Sequence, residues 1–172
     1  MQKQNLSGTI CLENGDKICK IGVILAQKNL IEKIIFAPLD RNLPLENQTP
    51  ISENPALAKY IENAFYKFGN EFSHLPFTKT HFNCVIFEKL REVPYGKTIS
   101  YKELAKLSGS EKAARAVGNA LRNNPLPIIY PCHRILATNG GLGGFAGNHE
   151  DWINIKKQFL LAEKNNKKMI IL

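Results

Sequence analysis

The sequence predicts two folding units in series. The first is α/β, an antiparallel sheet plus a helix, and the second is mainly α and built around a helix-turn-helix. Three observations carry this reading. β-branched runs crowd Ile18 to Pro38, and apolar residues recur at helical spacing from His81 onward. Between them, HLPF (His74–Phe77) breaks the chain without periodicity, which puts the boundary near residues 74–80 and the domains at 1–78 and 79–172.

In the first unit, ICKIGVILAQ (Ile18–Gln27) and NLIEKIIFAP (Asn29–Pro38) read as the arms of an antiparallel hairpin turning at Lys28-Asn29. The Pro- and Asn-rich LPLENQTPISENP is loop. A helix is expected over Pro55–Phe68, with Leu57, Ile61, Ala64, Phe65 and Phe68 on its inner face. In the second unit, Thr80 is placed to cap a helix over His81–Val93, closed by Pro94, with Phe82, Val85, Ile86, Leu90 and Val93 inward. A last helix is expected over Trp152–Lys164, followed by a short strand, MIIL.

ISYKELAKLSGSEKAARAVGNALRNNP is the best-specified stretch. Ser100 and Glu103 form a capping box for a short helix that turns Leu104 and Leu107 inward. Gly109 supplies a turn, and Ser110 is expected to cap a second helix from Glu111 to Arg122. On a wheel, Ala113, Val117 and Ala120 form the core face, flanked by Ala116 and Leu121. The opposite face carries Lys112, Arg115, Asn119 and Arg122, with the small residues Ala114 and Gly118 beside them. Such a face suits docking against phosphates, and it equally describes an amphipathic helix with a solvated basic side.

The whole-chain charge bears on this choice. The 172 residues carry a formal charge of +8; by itself this suits a polyanionic partner and a solvated Lys-rich surface equally, but joined to this helix face it favours nucleic acid. No apolar run approaches the ~18 residues of a membrane span. MQKQNLSGTI has no basic-then-apolar leader, so a cytoplasmic or nuclear protein without a membrane partner is expected. Cys11, Cys19, Cys84 and Cys132 follow no disulfide framework and read as thiols.

The chemistry-bearing stretch is NNPLPIIYPCHR. Pro125, Pro127 and Pro131 stiffen the backbone around a buried Ile128-Ile129-Tyr130, so Cys132 sits in a fixed place. That suits a nucleophile held for attack, and it suits a plain core cysteine. His133 reaches its neighbour's sulfur only through a water or a tight turn. A zinc site would have Cys132-His133 and His81-x-x-Cys84 with no CxxC pair behind them, so no metal is expected. ATNGGLGGFAG lacks the Gly-Lys-Ser/Thr of a phosphate loop and reads as a glycine-rich loop closing over a ligand.

PCHR, preceded by RAVGNALRNNPLPIIY and VPYGKTISY and followed by NGGLGGFAG, closely resembles the O6-alkylguanine-DNA alkyltransferases. The resemblance runs from Thr80 to Glu163. It implies a ribonuclease H-like N-terminal domain, and a protein that flips an alkylated guanine out of double-stranded DNA and takes the alkyl group irreversibly onto Cys132. It implies that His133 is a base acting through a water, lowering the thiol pKa, with Glu163 as its carboxylate partner and Glu150 or Asp151 as substitutes. Tyr101 then serves N3 of the base, Asn124 couples the helix to the cysteine segment, and Arg115 is the finger that fills the vacated stack. DNA binding falls to Arg115, Lys112, Ala114, Gly118, Asn119 and Arg122, in the minor groove. The substrate pocket falls to Tyr101, Pro127, Phe145 and Ala146. Phe145 and Ala146 stand where some members have Tyr and Ser, so backbone amides are expected to supply the donors there. Asn148–Asn154 looks like an insertion before the last helix. The resemblance implies a monomer without cofactor, with guanine restored once per protein and O4-methylthymine repaired less efficiently.

Overall fold

In chain order the computed structural model contains β1 (Gln4–Leu12), β2 (Lys17–Gln27), β3 (Leu30–Ala37), β4 (Gln48–Pro50), α1 (Pro55–Ala64), β5 (Ser73–His74), α2 (His81–Arg91), β6 (Ile99–Ser100), α3 (Tyr101–Leu107), α4 (Ala114–Arg122), β7 (Ile135–Leu136), α5 (Glu150–Lys164) and β8 (Met169–Ile171). The structure describes residues 3–27, 30–66, 73–74, 80–143 and 150–172. It divides into one unit of Met1–Leu75 with Lys167–Leu172, and a second of Pro76–Asn166.

The first unit is a sheet covered by a helix. β1, β2 and β3 run antiparallel, and β2 alternates as a half-buried strand should: Cys19, Ile21, Val23 and Leu25 point into the core, Lys20, Ile24 and Ala26 less so. The sheet is mixed rather than antiparallel throughout, because β4 lies parallel to β1 and β5 parallel to β3. The Asn54 side chain caps α1 by accepting from the Leu57 amide at 3.1 Å, and Leu57, Tyr60, Ile61 and Ala64 face inward. The helix ends at Ala64 with Phe65 buried beyond it; Phe68, expected within it, lies outside the described residues.

The last strand sits in this first unit, whereas the sequence division at 78/79 assigned it to the second. β4 pairs β1 only over Asn5–Ser7, which leaves the rest of that edge with unsatisfied backbone groups. β8 fills it over Ile10–Leu12, Thr9 and Leu172 exchange two backbone hydrogen bonds (2.7 and 2.9 Å), and Met169 and Ile171 enter the core.

The second unit is mainly helical. Thr80 caps α2 through the Asn83 amide, and Ile86, Phe87 and Leu90 are buried. α2 stops at Arg91, short of the expected Val93, since Pro94 disfavours helix at the residue before it. α3 opens on the Ser100/Glu103 capping box, with both reciprocal bonds made. Leu107, expected inward, is 55% exposed. The helix has only seven residues, and on the wheel Ser108 falls between the buried Leu104 and Ala105, so Ser108 takes the inward place.

α4 starts at Ala114 rather than Glu111. Ala113 is its cap, without a side-chain bond, and Ser110 instead accepts the Ala113 amide through its backbone carbonyl. Lys112 therefore stands in the turn before the helix. Val117, Ala120 and Leu121 are buried, while Ala116 lies beyond the Ala120 edge and is exposed. A short parallel pair, β6 with β7, ties the start of α3 to the chain just after Cys132–Arg134. α5 begins at Glu150, so residues 150–154, read as insertion, form its opening turn; Asn148 lies outside the described residues.

Candidate active site

One amide fixes the segment that carries Cys132. Asn124 Nδ2 donates to the Tyr130 carbonyl (2.9 Å) and to Cys132 Sγ (3.2 Å), while its Oδ1 accepts from the Leu126 amide (3.0 Å). The arch it spans contains buried Pro127 and fully buried Ile128, whose φ of +75° is strained backbone for a β-branched residue. Cys132 then opens a 3₁₀ turn, Cys132–Arg134, with its side chain buried.

That burial decides the state of the thiol. Burial pushes Cys132 up, and the Asn124 amide, the Lys156 charge and the amides of Cys132 and His133 only partly offset it. The lowering expected of this cysteine is not what the site provides: removing the sulfur from water costs the thiolate more than its neighbours return.

His133 is buried edge-on to Phe159, ring centroids 5.4 Å apart, with Nε2 2.8 Å from Glu163 Oε1. A carboxylate only accepts, so the neutral imidazole carries its proton on Nε2. Burial pushes this imidazole down, Glu163 pulls it up, and Arg134 and Lys156 push it down again. Glu163 itself would be raised by burial, but His133 and Arg134 bring its carboxyl down to about 2. The partner of His133 is thus Glu163. Glu150 and Asp151 lie in the first turn of α5, roughly 18 Å earlier along the helix axis.

Two cations in the site escaped the sequence reading. Arg134 is buried against Glu163. Lys156 is 0% exposed, and its Nζ donates to the Ile135 and Leu142 carbonyls at 2.5 Å each. Burial lowers its ammonium to about 8, against the opposing pull of Cys132. A signal for it was present: positions 156, 159 and 163 share one face of a helix, so the lysine rides with Phe159 and Glu163.

Tyr101 is the first residue of α3, half-buried, its phenol raised by burial and by the Cys132 charge. Gly143 (φ +63°) passes so near that a β-carbon there would lie 2.9 Å from the Tyr101 ring. Glycine is required at this contact. Phe145 and Ala146 lie outside the described residues. The structure therefore groups Cys132, His133, Glu163, Asn124 and Tyr101. Arg115, Asn119 and Arg122 are exposed along α4, with Ala114 and Gly118 half-buried and Lys112 exposed just before the helix.

The fold and the site define a two-unit protein with a buried Cys–His–Glu cluster and a basic helical face. Residues 81–165 match the family described as 6-O-methylguanine DNA methyltransferase, DNA binding domain. The chain is similar to the methylated-DNA–protein-cysteine methyltransferase of Mycolicibacterium paratuberculosis, 36% identical over 121 residues, covering 67% of this chain and 70% of that one. It is also similar to the protein of that name from Cricetulus griseus, 45% identical over 80 residues, covering 46% of this chain and 36% of that one. The match thus spans little more than a third of the mammalian relatives' length. The crystal structure of Mycobacterium tuberculosis OGT in complex with DNA superposes with a TM-score of 0.64 at 26% identity, covering 95% of each chain. The chain belongs to the methylated-DNA–protein-cysteine methyltransferase family.

Proposed function

We propose that this protein repairs double-stranded DNA by transferring an alkyl group from O6 of guanine to Cys132, once per molecule, with O4-methylthymine a poorer substrate. The observation that carries the reading is the sulfur of Cys132, held by Asn124 beside a buried His133–Glu163 pair, in a chain of this family. The Cys132 thiol loses its proton through a water to His133, and Glu163 stabilises the imidazolium. The thiolate attacks the alkyl carbon and displaces guanine: a C–S bond forms, the C–O bond breaks, and the leaving guanine takes a proton from the Tyr101 hydroxyl, which the phenolate recovers through solvent from the His133 imidazolium. No second nucleophile releases a thioether, so the protein is consumed. Burial raises the thiol of the free site, so Cys132 needs a base, His133 through a water, to reach the thiolate.

O6 inside a duplex cannot reach a buried sulfur, so the nucleotide has to be flipped out. In our reading α3 and α4 act as a helix-turn-helix that enters the minor groove, Arg115 fills the vacated stack, and Lys112, Ala114, Gly118, Asn119 and Arg122 contact the backbone. A β-carbon at Gly118 would meet open space, so nothing within the fold asks for glycine in mid-helix. A closely approaching groove would. Tyr101 and Pro127 belong to the substrate pocket, the first unit is ribonuclease H-like, and the protein works as a monomer wherever the cell keeps its DNA.

Mass spectrometry after incubation with duplex containing O6-methylguanine tests this. The expected result is a single addition of about 14 Da on Cys132, saturating at one equivalent. Protein that binds the lesion and stays unmodified would make it a lesion-binding protein instead. Turnover past one equivalent would point to a hydrolase.

A further inference from the structure

Glu163 is held by more than its proposed task requires. Arg134 Nε donates to both carboxylate oxygens (3.2 and 3.0 Å), Nη2 donates to Oε1 (2.9 Å), and Nη1 donates to the Val93 carbonyl (2.8 Å). The guanidinium carbon lies 5.7 Å from the centroid of the Tyr95 ring. The Gly96 amide donates to Oε2 at 3.0 Å from a backbone with φ +71°. The turn Val93–Gly96 thus cages the ion pair from one side while His133 meets it from the other.

A buried ion pair of this kind is weak evidence for stability, because desolvating two charges costs about what their attraction returns. Its geometry is better evidence for a role. A guanidinium fork that engages both oxygens leaves the carboxylate one way to face His133. We propose that Arg134 is a positioning residue for the transfer reaction: it fixes Glu163 toward His133, and its charge keeps that imidazole neutral until the thiol proton arrives. This rests on the alkyl-transfer reading above.

The groups around His133 make the sign of the effect definite. Glu163 and Lys156 face it from α5, Arg134 and Cys132 belong to its own turn, and Tyr101 reaches the cluster from α3 through Cys132; Phe159 packs on it without titrating. Glu163 favours the imidazolium, whereas Arg134 and Lys156 oppose it. Removing the Arg134 charge leaves Glu163 less opposed, so the imidazole holds a proton at higher pH and is spent as a base before substrate arrives.

The test compares wild type, Arg134→Gln and Arg134→Lys by NMR titration of the His133 ring and by single-turnover transfer across pH. In Arg134→Gln the His133 midpoint should rise by about one pH unit, and the acid limb of the transfer rate should move up with it. A merely structural loss would lower the rate without moving the limb. In Arg134→Lys, where the charge stays and the fork is lost, the midpoint should hold while the rate falls roughly tenfold at every pH. A midpoint shared by wild type and Arg134→Gln, or an Arg134→Lys protein that transfers at the wild-type rate, overturns the proposal. Should Arg134→Gln fail to fold, Arg134→Lys decides alone by the same criterion. Wild type that shows no transfer at all defeats the alkyl-transfer reading separately, while the ring titration still reports on Arg134.

Discussion

Lys156 places an ammonium, held by two backbone carbonyls, where the Cys132 thiol feels its charge. The effect on each is opposite in sign: the lysine draws the thiol down, and the thiolate draws the ammonium up. Replacing Lys156 with Gln removes a cation from beside the sulfur, so the thiolate fraction at neutral pH falls. Reaction of Cys132 with iodoacetamide, which needs no DNA, should slow by roughly three- to tenfold, within the few-unit range that neighbouring charges shift a thiol. An unchanged alkylation rate would mean that the charge is screened from the sulfur. Cys132 and His133 were legible as candidates because they stand together in a proline-braced stretch, whereas Glu163 came only with the family resemblance, since nothing in its own neighbourhood marks it. Lys156 and Arg134 were not, because a long cation is read as surface until tertiary contacts supply its acceptors, and here those acceptors lie on Val93, Ile135, Leu142 and Glu163.

At the scale of elements, the capping signals located α2 and α3 because Thr80, Ser100 and Glu103 satisfy specific backbone amides. The start of α4 was misplaced by three residues because Ser110, a good cap by type, uses its backbone carbonyl instead. Its late start leaves Lys112 in a turn and narrows the exposed stripe on the helix to Arg115, Asn119 and Arg122, with half-buried Gly118 beside them. Gly118 separates stability from function. Glycine in a helix interior costs about 1 kcal/mol relative to alanine, and a β-carbon at this position meets nothing. Gly118→Ala should therefore stabilise the fold by up to about 1 kcal/mol in urea denaturation. If α4 docks in a groove, the same change should weaken binding to duplex DNA several-fold. Stabilisation with unaltered DNA affinity would place the DNA contact on another surface.

At the scale of the whole chain, the hairpin was legible, since β2 and β3 are rich in β-branched residues, but β1 was not. QNLSGTICL interrupts its apolar residues with Ser7, Gly8 and Thr9, and its pairing with β2, β4 and β8 makes it a strand. The return of the C-terminal tail was equally hidden, because MIIL carries no local sign of which edge it will join. That return makes residues 167–172 part of the first unit's sheet. Besides β1, β8 engages α1 and the turn that follows it: the Ile171 amide donates to Glu62 Oε1 (2.9 Å) and the Met169 amide to the Tyr66 hydroxyl (2.7 Å). Burying Met169 and Ile171 is worth roughly 1.5–3 kcal/mol each, set against a total stability on the order of 5–15 kcal/mol for a domain. Deleting residues 167–172 removes that burial, reopens the β1 edge over Ile10–Leu12 and unpins α1, so the first unit should lose roughly 3–6 kcal/mol. Hydrogen exchange reads this locally. The amides of β1 that bond to β8, and those of α1, should lose protection by several orders of magnitude. Protection at Thr9 and Glu13, whose amides donate to the Leu172 and Lys168 carbonyls, that survives the deletion would show that β1 and α1 are held by the remaining strands alone.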